Sequence, residues 1–379
     1  MASGPLVGVK IVEFAGIGPA PFCGMLLADL GADVVRIDRK ESVGNATPDL
    51  MGRGKRSIAI DLKSWDGVEA ALSLIDKADA LIEGFRPGVM ERLGVGPDVA
   101  LKRNPKLVYG RMTGWGQTGP WSSMAGHDID YIALIGALHT MGRAGEAPAP
   151  PLNLVGDYGG GALYLAFGLC AGIIEARTSG KGQVVDCAMI DGAASLMTMF
   201  YGMRHAGIWN DKRGDNLLDG GAHFYDTYEC ADGNWLAVGA IEPQFHVVLA
   251  KGLGLDDADF PARMDRTNWP HYSRVIADRI RTKTRDEWMK VFDGTDACVA
   301  PVLSMEEAPK HPHNVARETF QTAFGAIQPG PAPRFSRTAG AINGVPARPG
   351  KHSGDVLKDW GVEPEQAAAF LKSGAVAQA

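Results

Sequence analysis

Five short runs of aliphatic and β-branched residues, at 8–14 (GVKIVEF), 32–38 (ADVVRID), 57–62 (SIAIDL), 80–83 and 107–112, alternate with helix-forming stretches early in this chain. Nothing else constrains the fold as much. Parallel strands need long crossover connections, usually helices, so the alternation predicts a parallel sheet covered by helices on both faces. The helices are expected at 22–30, stopped by Gly31, at 66–77 and at 88–93. Further on, a long apolar helix is expected over 160–177, a strand over 184–188 and a helix over 192–207. Near residue 225 the texture changes: strands at 225–230 and 235–240 flank the turn Ala231-Asp-Gly-Asn234, and helices follow at 244–253, 271–282 and 285–292. The predicted class is α/β, a Rossmann-like parallel-sheet large domain with a smaller α+β domain. The large domain is placed at 1–187 and completed by 330–379, with linker helices over 188–224, the small domain over 225–310 and a return linker over 311–329. A last amphipathic helix is expected at 353–360, and the Ala-rich end is expected to fray.

At 379 residues the chain exceeds one ordinary core, which fits two domains. A hydrophobic share of 45% and a charged share of 22% are those of a soluble globular protein. The net charge of −6 argues against a nucleic-acid partner, which calls for a basic excess. Cys23, Cys170, Cys187, Cys230 and Cys298 are odd in number and scattered, the pattern of reduced thiols. No CxxC or HExxH occurs, and His311-Pro-His313 is too sparse for a metal site. No secretory leader, membrane span or peroxisomal address is expected.

The candidate chemistry lies in two segments. Ala125-Gly126-His127-Asp128-Ile129-Asp130-Tyr131 places an imidazole, and Leu154-Val155-Gly156-Asp157-Tyr158 a carboxylate, beside glycines at the mouth of an apolar run. His and Asp move protons near neutral pH, and glycine lets the backbone approach a ligand closely. Each residue alone also suits an ordinary role, His127 in a turn and Asp157 as a helix cap. Glu242, after the strand WLAVGA and before Pro243, sits where site residues gather but equally suits a cap. Basic residues cluster by successive strands: Arg36, Arg39 and Lys40 after the second, Arg53, Lys55, Arg56 and Lys63 around the third, and Arg86 and Arg92 after the fourth. Gathered on one sheet edge they would suit a multiply phosphorylated ligand; scattered, they are solvated surface. Met189, Met197, Met199 and Met203 read as core or as a pliable apolar surface. Gly16-x-Gly18-x-x-Pro21 and Gly114-x-Gly116-x-x-Gly119 resemble dinucleotide loops only weakly. The first has prolines where amides are needed, and the second is not followed by an apolar helix.

The chain resembles the family III CoA-transferase superfamily along nearly its whole length, and within it the α-methylacyl-CoA racemase branch. The resemblance rests on Glu13-Phe-Ala-Gly-Ile-Gly-Pro-Ala-Pro21, Asp29-Leu-Gly-Ala-Asp-Val-Val-Arg-Ile-Asp-Arg39, Gly52-Arg-Gly-Lys-Arg-Ser57, Arg86-Pro-Gly-Val-Met-Glu-Arg-Leu-Gly94, Gly126-His-Asp-Ile129, Pro151-Leu-Asn-Leu-Val-Gly-Asp157 and Val238-Gly-Ala-Ile-Glu-Pro-Gln-Phe245. It implies an intertwined homodimer, with His127 and Asp157 as the acid/base pair. Glu242 would partner the histidine from the other subunit's small domain. Coenzyme A, as part of the substrate, would be held at Arg39, Ile60, Asp61, Leu62, Lys63, Arg86, Arg92, Gly126, Asp128, Ile129, Asp130 and Tyr131. No metal, flavin, nicotinamide or other cofactor is implied. The activity would be interconversion of (2R)- and (2S)-2-methylacyl-CoA through an enolate, held by amides at Gly156-Asp157, in branched-chain lipid or sterol side-chain degradation. A cytoplasmic, bacterial enzyme is expected.

Three positions depart from the family pattern. Asp130 stands where Asn is usual, His223 where the pattern runs Gly-Gly-Ala-Pro, and Leu217 where a methionine is common. These bear on acyl preference. The competing reading is a CoA-transferase with Asp157 as a covalent nucleophile, in which His127 and Glu242 have no evident task.

Overall fold

The computed structural model describes residues 3–44 and 49–379. Two compact units divide the chain. The first takes the chain up to Ile135, Leu152–Leu196 and Glu318–Ala379; the second takes Gly136–Pro151 and Met197–Arg317.

The first unit is built on a sheet of β1 (Lys10–Phe14), β2 (Asp33–Arg39), β3 (Arg56–Ile60), β4 (Ala80–Glu83), β5 (Val108–Thr113) and β6 (Gln183–Ala188). All pair in parallel, in the order β3-β2-β1-β4-β5-β6. Val12 thus lies between Val35 of β2 and Leu81 of β4. Both faces are covered. On one side Leu74, Ile75, Val356, Trp360 and Phe370 close over the sheet; on the other Cys23, Leu27, Leu165, Leu169 and Ile173 do so. That double burial explains why β4 and β5 are buried along their whole length, as parallel strands between helix layers must be.

The remaining strands follow in chain order. β7 (Tyr225–Glu229), β8 (Trp235–Gly239) and β9 (Val299–Pro301) form an antiparallel sheet in the second unit. Helices Pro243–Leu253, Trp269–Ile280 and Arg285–Phe292 pack on it around Phe224, Trp269, Ile276 and Trp288. In the first unit β10 (Phe320–Ala323) and β11 (Ala326–Pro329) make a hairpin, and β12 (Val376–Ala377) pairs antiparallel with β3.

The boundaries differ from the sequence expectation in four places. Residues 136–151 cluster with the second unit, where Arg143 binds Asp226 at 2.6 Å. The expected linker divides after Leu196, and helix 192–207 is two helices, Met189–Leu196 and Thr198–His205. The β10–β11 hairpin replaces a plain return segment, anchored by buried Arg53 donating to Gln328 Oε1 at 2.7 Å. The last residues do not fray but close the sheet edge.

The helix expected to begin at Gly160 begins instead at Leu154. Its first nine residues, Leu154–Ala162, are wound as a π-helix that runs into α-helix Leu163–Ser179. This 26-residue run is long and apolar enough to cross a membrane, unlike any run expected from the sequence. Here it lies against β5 and β6, with Leu165, Leu169 and Ile173 in the core.

Candidate active site

In a sheet of this strand order, ligands bind beyond the carboxyl ends of the strands where the order reverses, here between β1 and β4. A cleft of about 340 Å³ lies there, within the first unit. Its walls are the loops after β1 (Ile17–Ala20), β4 (Gly84–Pro87) and β5 (Gly114, Trp115), closed by Ala125–His127, Tyr131 and Asp157. His127 and Asp157, thirty residues apart in sequence, therefore share one cleft.

His127 is the N-cap of helix Asp128–Leu134, with extended backbone, and is exposed to solvent. Its amide donates to Asp130 Oδ2 at 2.9 Å. Asp130, one of the three departures from the family pattern, thus closes the start of the helix that presents the imidazole, as an acid at the third helical position does. Tyr131 Oη donates to Gly126 O at 2.5 Å. Burial and the nearby carboxylates push its hydroxyl up to about 12, so it stays a neutral donor. A Cβ on Gly126 would lie 2.8 Å from the Tyr131 ring and 2.9 Å from Trp115, and one on Gly114 would meet the Tyr131 ring at 2.2 Å. The glycines of the 114–119 pattern include one that makes room for an aromatic side chain, a packing role that needs no dinucleotide.

Asp157 lies inside the π-helix, one residue after Gly156, and Asn153 holds the N-cap position. Asn153 Nδ2 donates to Asp157 Oδ2 at 3.1 Å, and the Asp157 amide donates to Asp128 Oδ2 at 2.7 Å. A Cβ on Gly18 would sit 3.4 Å from Asp157 Oδ2, so the β1 loop reaches the carboxyl through a glycine. Burial raises the pKa of Asp157, and the Asp128 charge adds to this; the Asn153 bond and His127 oppose it. A helix start would favour the charged form; here desolvation wins. The carboxyl is a better proton carrier than an exposed one.

The amide of Asp157 is already engaged by Asp128, so it is not a free donor for an enolate oxygen. The amides of Asp128 and Ile129 open the 128–134 helix and have no intrahelical acceptor. They stand directly after His127.

The basic residues separate into two groups. Arg36 binds Asp38, Arg53 binds Asp29, Lys55 binds Glu13 and Arg56 binds Asp33, so these serve the fold. Arg39, Lys63, Arg86 and Arg92 are exposed, at or beyond the carboxyl ends of β2, β3 and β4. In the turn after β3, Asp61 Oδ1 accepts the Lys63 amide at 3.1 Å and Leu62 packs on the core. Ile60 is buried in β3 between Arg39 of β2 and Val376 of β12, so it offers a ligand no open surface of its own. Ile129 is 43% exposed beside the cleft.

Glu242 belongs to the second unit. It is exposed, caps helix Pro243–Leu253, and its carbonyl accepts the amides of Phe245 and His246 at 3.1 and 3.0 Å. His223 and Leu217 also lie in the second unit, His223 within its core and Leu217 against it. Sequence reasoning missed Asn153 and the Asp128 side chain. Asn153, four residues before Asp157, has the spacing of a helical contact, but only on a helix starting earlier than predicted. Among the described residues no cluster of three or more His, Cys, Asp or Glu is placed to hold a metal ion.

The fold and cleft define a doubly wound α/β protein with an imidazole and a half-buried carboxyl at its switch point. A family profile for CoA-transferase family III matches residues 6–353, and the chain belongs to that family. It is 48% identical to the α-methylacyl-CoA racemase of Mus musculus and 44% identical to that of Homo sapiens, in each case over 95% of this chain and 94% of the relative. A CAIB/BAIF family protein from Brucella suis shares the fold, with a TM-score of 0.79 at 23% identity over 95% of this chain and all of that one. The expectation of a bacterial source is not borne out by the mammalian relatives.

Proposed function

We propose that this chain is an isomerase that interconverts (2R)- and (2S)-2-methylacyl-CoA by moving one proton through an enolate. The observation that carries the reading is the pairing of solvent-facing His127 and half-buried Asp157 in one cleft. Two groups on two sides of a carbon are what inversion requires. Neutral His127 takes the α-proton of one enantiomer, and the electron pair moves onto the thioester oxygen. Protonated Asp157 delivers a proton to the opposite face, the enolate collapses to the thioester, and the roles reverse for the other enantiomer. The α-hydrogen is too weakly acidic for a neutral base unless the enolate oxygen meets preorganised donors. The amides of Asp128 and Ile129 supply them in this reading, since that of Asp157 is engaged.

The CoA phosphates are met by Arg39, Lys63, Arg86 and Arg92. The active form is an intertwined homodimer in which Glu242 of the partner subunit orients the imidazole and stabilises its charged form. An apolar stripe on helix Leu163–Ser179, with Phe167 73% and Ile174 69% exposed, supports cover by a second copy. The substrates would arise in branched-chain lipid or sterol side-chain breakdown.

The test is exchange in deuterated water. The wild-type protein should label C2 of both enantiomers, whereas His127→Ala and Asp157→Asn should each abolish racemisation. Racemisation surviving in both variants contradicts the reading. Hydroxylamine capture of an acylated Asp157, without deuterium entry, would indicate the transferase instead.

A further inference from the structure

We infer that Asp128 is a positioning residue for the proton-transfer pair: its buried carboxylate fastens the Asp157 backbone and sets a second negative charge against the Asp157 carboxyl. The inference rests on the acid/base reading above and deepens it. Asp128 is only 4% exposed, follows His127 directly, and turns its side chain away from solvent. Oδ2 accepts the Asp157 amide at 2.7 Å. Oδ1 is buried with no hydrogen-bond partner among the described residues. A buried carboxylate with one bare oxygen is costly to fold and is expected to have a use.

The approach is built into the backbone. A Cβ on Gly156 would fall 2.7 Å from Asp128 Oδ2, so a glycine there lets the two segments meet. One short contact therefore links the residue after the imidazole to the residue that carries the carboxyl. The groups facing Asp157 are Asn153 and Asp128 by hydrogen bond and His127 by charge. Tyr131 and Arg86 line the same cleft. Like charge in a desolvated site favours the protonated acid, and the Asp128 charge does raise the proton affinity of Asp157. A two-base site that works in both directions needs its acid and its base matched in proton affinity. Asp128 supplies that match without touching the substrate through its side chain.

Asp128→Asn separates tether from charge, because the amide oxygen still accepts the Asp157 N–H. In the full-length protein, rates from each enantiomer of a 2-methylacyl-CoA are followed against pH. The limb belonging to Asp157 should move acidward by roughly one pH unit, a roughly tenfold change in its protonated fraction above both values. The enantiomer that Asp157 deprotonates then keeps its rate to lower pH. The enantiomer that Asp157 reprotonates loses rate near neutrality. Unmoved limbs, or an equal loss at every pH, overturn the inference. Gly156→Ala, which pushes the carboxylate off its seat, should shift the same limb in the same direction; an unmoved limb there also counts against it. Carboxyl carbon NMR of Asp157 without substrate, assigned through Asp157→Asn, reads the same shift. A protein that shows the NMR shift but no α-exchange would refute the racemase reading and keep the charge coupling. One that exchanges protons but shows no shift would do the reverse.

Discussion

His223 and His246 lie 3.2 Å apart, Nε2 to Nε2, in the core of the second unit. Burial depresses His223 to about 3, with His246 and Arg263 adding to the effect. His246 is lowered chiefly by burial, although Asp257 Oδ1 at 2.7 Å opposes it. Both rings are neutral in the folded protein at pH 7, one donating to the other. A base whose folded pKa lies below its unfolded value gives stability that is present above about 6.5 and is lost as pH falls from there toward about 3. Urea unfolding should therefore lose about 1 kcal/mol per pH unit from His223 alone between pH 6 and 4. His223→Leu should flatten that slope, and an unchanged slope would show that the ring already takes up protons when folded. Sequence alone assigned His223 to the acyl region, because neither burial nor the partner His246 is visible along the chain.

A second residue-scale test concerns Glu13 and Lys55, both buried and 2.6 Å apart, with Lys55 Nζ also donating to Pro21 O at 2.7 Å. Burial pushes the Glu13 carboxyl up and the Lys55 ammonium down, and each is held in part by the other's charge. Removing one member of such a pair leaves a buried charge uncompensated. Lys55→Met should cost about 3–5 kcal/mol and loosen the loop that brings Gly18 to Asp157. Calorimetry checks this, and an unaltered melting temperature would contradict it. Nearness to a strand marked Lys55 and Arg86 alike as ligand cations; only the acids Glu13, Asp29 and Asp33 tell fold from surface.

At the scale of elements, the π-helix depends on a neighbouring helix. A Cβ on Gly160 would lie 2.4 Å from Ala193 N, and one on Gly192 would lie 1.8 Å from Gly160 O. The Leu154–Ala162 and Met189–Leu196 segments thus touch backbone to backbone at paired glycines. Gly192→Ala should destabilise by roughly 1–3 kcal/mol and lower turnover more than it raises KM, since Asp157 rides on the displaced segment. Thermal melting with steady-state kinetics reads both, and normal values for both would refute the argument. This contact also explains what the sequence hid. Gly156, Gly159, Gly160 and Gly161 are poor helix formers, so local propensity starts the helix too late. By contrast β4 (Ala80–Glu83) and helix Arg285–Phe292 were legible to the residue, being bounded by clear local signals such as the Thr284–Glu287 capping box.

For the whole molecule, the sheet is closed by residues at the far end of the chain. β12 pairs Val376 with Ile60 and Ala377 with Ala59, and the Asp61 amide donates to Ala375 O at 2.8 Å. Truncation after Gly374 should lower the melting temperature and also weaken CoA binding, because the Ile60–Lys63 turn loses its brace. Titration of CoA into the truncated protein checks this, and unchanged affinity would separate the turn from the ligand. The parallel pairing of the sheet, though not its strand order, was legible from alternating strands and helices. A two-residue strand was not, since nothing local distinguishes it from a loose end.

The same closure sets a timetable for synthesis. Arg53 reaches Gln328 across 275 residues, and β3 waits for a strand near the end of the chain. The second unit draws mainly on the continuous stretch Met197–Arg317 and is complete well before the first. Pairings this distant in sequence close late, because loop entropy is spent before the contact forms. On a ribosome, the unit that holds the cleft is therefore the one that stays unfinished longest, with the edge of β3 open until Val376 and Ala377 emerge.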